Sequence, residues 1–176
     1  MQLLKGELVA LRAMEPTDLE LLYRWENDSD VWTISNTRTP FSKYVLKNFI
    51  ETSSQDIYTA KQLRLMIDEN ATGETIGIID LFDFDPFHLR VGVGILIGKE
   101  HRQKGYAKES LQLLKEYAFE VLQVQQVYCN IMEDNEVSLS LFAKEGFQVF
   151  GNKRKWIRTN DGFKDELILQ CFREQN

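Results

Sequence analysis

An apolar run, Arg90-Val91-Gly92-Val93-Gly94-Ile95-Leu96-Ile97, leads through Gly98 and a short basic loop directly into a long amphipathic stretch. The run is rich in β-branched residues and closes on glycine, the pattern of a largely buried strand. Beyond the loop, Ala107, Leu111, Leu114, Ala118 and Val121 recur at helical spacing and predict a core-facing helix over about 105–122. Strand, loop and helix in that order demand a mixed fold in which the helix returns onto the sheet. The loop itself, Arg102-Gln103-Lys104-Gly105-Tyr106-Ala107, carries the pattern R-x-x-G-x-A. At a helix start several N–H groups lack an intrahelical partner and the macrodipole is positive, which suits an anion such as a phosphate. Gly105 has no side chain to hold a bulky phosphate away from the backbone. Lys99, Arg102, Lys104 and Lys108 gather four cations here in a chain whose formal net charge is -6. An ordinary solvated helix start accounts for the pattern taken alone; the flanking strand and helix favour the anion site.

The chain has 176 residues, 43% of them apolar, enough for one substantial core, and it is taken as one domain over 1–176. No apolar run approaches the roughly 18 residues of a membrane span, and the start Met1-Gln2-Leu3-Leu4-Lys5-Gly6 lacks a secretory signal. A soluble, cytoplasmic protein with no membrane partner is expected. Cys129 and Cys171 fall in apolar strand-like runs and read as free buried thiols. His88 and His101 are the only histidines, too few for a conventional zinc site with these cysteines, so no metal is expected. A sequence pI near 5.1 argues against nucleic acid as a partner, because phosphate-backbone affinity needs a basic face. A small cationic substrate fits better.

Along the chain, Leu8 to Arg12 reads as a first strand and Pro16 to about Asn27 as a helix with Leu19, Leu22 and Tyr23 on its apolar face. Residues 28–41 show no period and are expected to form a loop; a helix follows over about Lys43–Thr52. Strands are predicted over Gln62–Glu69, Thr75–Phe84, 89–97 and Tyr128–Met132, with a turn at Ala71-Thr72-Gly73-Glu74. Asn135–Lys144 reads as a helix stopped by Gly146, and two final strands, 147–157 and 164–172, meet at Asn160-Asp161-Gly162, a hairpin signal. The order is β-α-α-β-β-β-α-β-α-β-β.

That order, with R-x-x-G-x-A between the fourth strand and the third helix, resembles the GCN5-related N-acetyltransferases (GNAT) over essentially the whole chain. Asn135-Glu136-Val137-Ser138-Leu139-Ser140-Leu141-Phe142-Ala143-Lys144-Glu145-Gly146-Phe147 is similar to the family segment N-x-x-[AS]-x-x-[LI]-[YF]-x-x-x-G-F. Leu81-Phe82-Asp83-Phe84-Asp85-Pro86, the first strand and the closing hairpin make the polyamine and ribosomal-protein N-terminal acetyltransferases the most similar branch. The resemblance implies an α/β (α+β) fold: a mixed, mostly antiparallel sheet with splayed strands 4 and 5 and helices on both faces. It implies acetyl-CoA as cosubstrate, its pyrophosphate on Arg102, Gln103, Lys104, Gly105, Tyr106, Ala107 and Lys108. The pantetheine arm would lie along Ile95, Leu96 and Ile97, with Asn135 and Ser138 on the other wall; Asn135 also reads as a helix cap.

The implied reaction is direct attack of an amine on the thioester, which needs a neutral amine, an oxyanion donor and a proton for the leaving thiolate. A backbone N–H near Leu96 is the expected donor. Phe142 stands where many members of the family carry a proton-donating tyrosine, so it reads as a packing residue, and the proton must come from water or a hydroxyl such as Ser138. Tyr106, Tyr117 and Tyr128 are substitutes in principle. Polyamine acetyltransferases often place a glutamate where this chain has Gly92, which leaves Asp80 and Asp83 as candidate bases; strand alternation sends them to opposite faces. Asp28, Asp30, Asp83, Asp85 and Asp161 with Trp25, Trp32, Trp156 and Phe163 are the expected acidic and aromatic mouth for an ammonium. The expected acceptor is a small polyamine-like amine such as spermidine. A protein N-terminus and a catalytically weak acyl-CoA-binding role are the alternatives, and homo-oligomer formation stays open.

Overall fold

A computed structural model describes residues 3–35, 37–53 and 55–173. Strand β1 (Val9–Ala13) is followed by a turn of 3-10 helix started by Pro16, and then by α1 (Leu19–Glu26), α2 (Ser29–Ser35), α3 (Lys43–Thr52) and α4 (Ile57–Ala60). Strands β2 (Leu63–Glu69), β3 (Thr75–Asp85) and β4 (Arg90–Ile97) lead to α5 (Tyr106–Glu120), β5 (Gln126–Met132), α6 (Glu136–Lys144), β6 (Gln148–Thr159) and β7 (Gly162–Phe172). The seven strands form one sheet in the order β1-β2-β3-β4-β5-β7-β6, antiparallel except between β4 and β5.

Alternation along the strands sorts the core into two layers. On one face Leu65, Ile67, Ile79, Leu81, Val91, Val93, Val127 and Leu169 pack beneath Leu111, Leu114 and Ala118 of α5 and Phe142 of α6. On the other, Met66 and Ile78 meet Leu22 of α1 and Leu46 and Ile50 of α3. Helices therefore cover both faces.

Two departures from the sequence reading lie in the first third of the chain. Residues 28–41, expected as loop, contain α2, which the Asp28 carboxylate starts by accepting the Asp30 N–H (2.9 Å). Its Trp32 is tied back to α1 by an indole N–H donated to Glu26 O (2.6 Å). The short α4 is capped by Asp56, which accepts from the N–H groups of Tyr58 and Thr59. Both helices are too short to display a period, and local capping decides them.

Candidate active site

β4 and β5 are paired only from Arg90↔Gln126 to Gly92↔Tyr128, and beyond these the strands part. A cavity of about 410 Å³ occupies the opening. Main-chain groups of successive residues in a strand alternate between its two neighbours. At one end of β4, Gly98 N–H donates to Ile76 O beside β3 (2.8 Å); at the other, Leu89 O accepts from Gln125 N–H beside β5 (2.7 Å). The β3–β4 register is unbroken from Gly77↔Ile97 to Phe82↔Gly92. Counting inward from both ends, even-numbered residues of β4 address β3 and odd-numbered residues address β5. The Leu96 N–H expected as oxyanion donor is thereby turned to Ile78 on β3. Past the last β4–β5 pair it is Ile95 and Ile97 that direct their main-chain groups into the opening, while the Leu96 side chain lines its wall.

At the end of β4 the basic loop delivers α5. Gly105 is the N-cap residue with φ +87° and no side chain caps the helix; the first intrahelical bond is Glu109 N–H to Gly105 O (3.2 Å). The N–H groups of Tyr106, Ala107 and Lys108 are therefore left for a ligand. Gln103 is also left-handed (φ +64°), so the loop curls around its own amides, a shape that binds anions. The expected cations divide. Lys104 and Lys108 are exposed, and Arg102 donates through Nε to Ile97 O (3.1 Å). Lys99 is drawn aside to Asp28 (3.3 Å) and Asp30 (2.6 Å). Tyr106 turns its hydroxyl to Glu69, away from the opening.

The wall contributed by α6 carries Asn135, Ser138 and Phe142. Asn135 caps the helix by accepting the Ser138 N–H (3.2 Å), and Phe142 is buried edge-on against Phe147 (centroids 4.9 Å apart). Cys129 of β5 also lines the cavity, and burial pushes its thiol up to about 12.

On the opposite face of the sheet the cavity is bounded by Glu26, Val31, Arg64, Ile78, Asp80, Phe82, Gly94, Ile157 and Glu166. Arg64 and Asp80 face each other across β2 and β3, joined by Nε–Oδ1 (2.7 Å) and Nη2–Oδ2 (2.8 Å) bonds. Arg64 Nη1 donates to Glu26, and its guanidinium lies over the Phe49 ring (5.4 Å). Glu166 is bonded to Lys153 (2.8 Å). The strand position without a side chain at Gly92 is filled by the Phe82 ring, which a Cβ there would strike.

Asp83 does not face this cavity. A break in register between Phe82 and Asp85 puts it at φ +49°, and with Asp85, Arg90 and Tyr128 it lines a second, 670 Å³ cavity farther along the sheet. The expected mouth does not converge either. Asp28 and Asp30 hold Lys99, Trp25 packs in the inner layer, Trp32 is bonded to α1, and Trp156 and Phe163 are exposed on the closing hairpin. The acids that do line the cavity are Glu26, Asp80 and Glu166. Sequence reasoning missed Glu26, Arg64 and Glu166; the available signal was a charged residue on the inward side of β2, opposite Asp80.

A parted parallel strand pair with an uncapped helix start at its mouth is the frame of an acyltransferase that works on a nucleotide-bearing thioester. Residues 9–148 match the Acetyltransferase (GNAT) domain. The chain belongs to that family and is an acetyl-CoA-dependent N-acetyltransferase. Spermidine N(1)-acetyltransferase of Escherichia coli (strain K12) is 24% identical over 170 residues, covering 95% of this chain and 87% of that protein. Probable N-acetyltransferase YjcK of Bacillus subtilis (strain 168) is 27% identical over 184 residues, 95% of each chain. The crystal structure of spermidine N-acetyltransferase from Vibrio cholerae in complex with CoA and spermine superposes with a TM-score of 0.86 at 20% identity, over 95% of this chain and 96% of that one, which establishes the shared fold. Among the described residues no cluster of three or more metal-ligating side chains occurs and no helix is long and apolar enough to cross a membrane.

Proposed function

We propose that the chain transfers the acetyl group of acetyl-CoA to a primary amine of a small polyamine-like cation such as spermidine. The observation that carries this reading is the acceptor side of the cavity: three carboxylates line it, Glu26 and Asp80 sharing the one guanidinium of Arg64 and Glu166 paired with Lys153, which leaves the lining net negative. Such a lining favours a cation over a neutral or anionic acceptor.

In this reading the amides of Tyr106, Ala107 and Lys108, with Lys104 beside them, hold the pyrophosphate. The main-chain groups of Ile95 and Ile97 pair with the amides of the pantetheine arm, and the Ile95 N–H, the first beyond the paired part of β4, supports the developing oxyanion. Phe142 offers no proton, so the leaving thiolate is protonated by water or by Ser138. A thiol with a pKa near 8.5 leaves tolerably without a strong acid, so turnover is modest rather than absent.

One feature favours a longer acceptor. Asn130 lines both the cavity and the adjoining 670 Å³ groove, so a peptide N-terminus could extend along the sheet from the reacting centre. Thiol release measured with spermidine, a simple alkyl monoamine and a short peptide separates the readings. The expected order is spermidine first. A preference for the peptide supports the second reading, and tight CoA binding without amine-stimulated release refutes catalysis and leaves an acyl-CoA-binding role.

A further inference from the structure

We propose that Arg64 is a positioning residue that withholds Asp80 from proton transfer and presents Glu26 to orient the acceptor, so that the amine reaches the thioester already neutral and Asp80 does not act as its base. The inference rests on the acetyltransferase reading above.

The geometry separates the two carboxylates. Both oxygens of Asp80 are engaged by Arg64, at 2.7 and 2.8 Å. Asp80 and Arg64 are direct partners in the β2–β3 register, and Asp80 is opposite Gly94 in the β3–β4 register, so the pair is part of the rigid floor of the cleft. For Asp80 to take a proton, it would have to give up the negative charge that the forked bonds hold against a largely buried guanidinium, leaving that cation short of a charged partner, an arrangement proteins avoid. Glu26 is different. Only Oε1 is bonded to Arg64; Oε2 has no hydrogen-bond partner among the described residues, and Glu26 lines the cavity. An oxygen held in place by its sister atom is suited to orient an ammonium.

Burial works against the charge on Arg64, yet the Asp80 and Glu26 carboxylates raise its pKa, so it remains a cation throughout the working range. The other titratable groups facing this centre are already engaged or protonated. Glu166 of β7 is bonded to Lys153 of β6, and Asp28 just before α2 and Asp30 in its first turn hold Lys99. The Cys129 thiol of β5 stays protonated, β4 brings Val93, Gly94, Ile95 and Leu96, none of them titratable, and α3 brings Phe49. With Asp80 withheld and Glu26 only orienting the nitrogen, the first proton of the ammonium passes to solvent before attack. As the C–N bond forms and the C–S bond breaks, the second passes to solvent or to the departing thiolate.

The test is kcat/KM against pH for two acceptors whose amines differ in basicity, with the wild type and with Asp80→Asn, Glu26→Gln, Arg64→Lys and Arg64→Met. The acidic limb is expected to move with the acceptor's own pKa and to keep its midpoint in Asp80→Asn. Glu26→Gln is expected to raise KM about tenfold or more while kcat changes little, as for loss of one charge-assisted hydrogen bond. Arg64→Lys is expected to recover part of the KM lost in Arg64→Met. A wild-type limb with the same midpoint for both acceptors overturns the inference without any variant, and so does a limb abolished in Asp80→Asn. Absence of amine-stimulated thiol release from the wild type overturns the acetyltransferase reading and this inference with it.

Discussion

Replacing Glu109 with glutamine should loosen the attachment of α5 to the sheet by a measurable amount. The Glu109 carboxylate reaches past the helix and accepts three main-chain N–H groups: Glu7 on Oε1 (2.9 Å), and Leu8 and Val9 on Oε2 (2.7 Å each). It also lies so close beneath Gly6 that a Cβ there would sit 2.5 Å from its carboxylate carbon. Glutamine keeps the shape and one acceptor oxygen, but its NH2 must then confront an N–H donor. A hydrogen bond to a charged group is worth about 1.5–3 kcal/mol, and the substitution loses at least one and weakens the others. Glu7 and Leu8 are exposed and can recover water, whereas Val9 is fully buried, so the lower half of that range applies. For a chain of this size each kcal/mol moves Tm by roughly 2–4 °C, so a fall of about 3–8 °C is expected at neutral pH. Calorimetry measures it, and hydrogen exchange at residues 7–9 should accelerate in parallel. A Tm within about 1 °C of the wild type, with exchange at Val9 unchanged, would refute the claim that this carboxylate anchors the helix.

Lys104→Glu should weaken CoA binding by about tenfold or more, increasingly so at low salt, with Tm nearly unchanged; calorimetric titration at two ionic strengths reads this. Gly105→Ala should cost about 1–2 kcal/mol of stability whatever its effect on binding, because φ there is +87°; chemical denaturation checks it. Burial opposes the charge on Asp18, but Arg12 and the Glu15 N–H together hold its carboxyl below the ordinary value of 3.8. Its contribution to stability is therefore complete above that value and lost as pH falls below it. Wild type should exceed Asp18→Asn in Tm at neutral pH, and the gap should close in acid. Cys129, its thiol pushed up to about 12, should resist alkylation at pH 8 in the folded protein and react on unfolding, as mass spectrometry would report.

What could be read before folding was whatever depends on neighbours in the chain. The stripe Leu111, Leu114 and Ala118 marked α5, although Val121, expected on the same stripe, is exposed just past the helix end, and the helix read from Lys43 ends where expected at Thr52. Asn160-Asp161-Gly162 marked the β6–β7 turn, and Asn135 caps α6 within three residues of its partner. The loop with Gly105 was legible for the same reason, since an uncapped helix start is a local property. Tertiary structure alone decided the rest. Glu26, Arg64, Asp80 and Glu166 come from α1, β2, β3 and β7, and they share one cavity only because of strand order and register. Whether Leu96 or Ile95 addresses the opening turns on a one-residue parity in the pairing of β4 with β3, and the placement of Asp83 turns on a break in that same pairing. Helical and strand periods are set by bonds within a few residues. A site is set by which distant residues the sheet makes neighbours, and a shift of one residue in register sends every side chain to the other face.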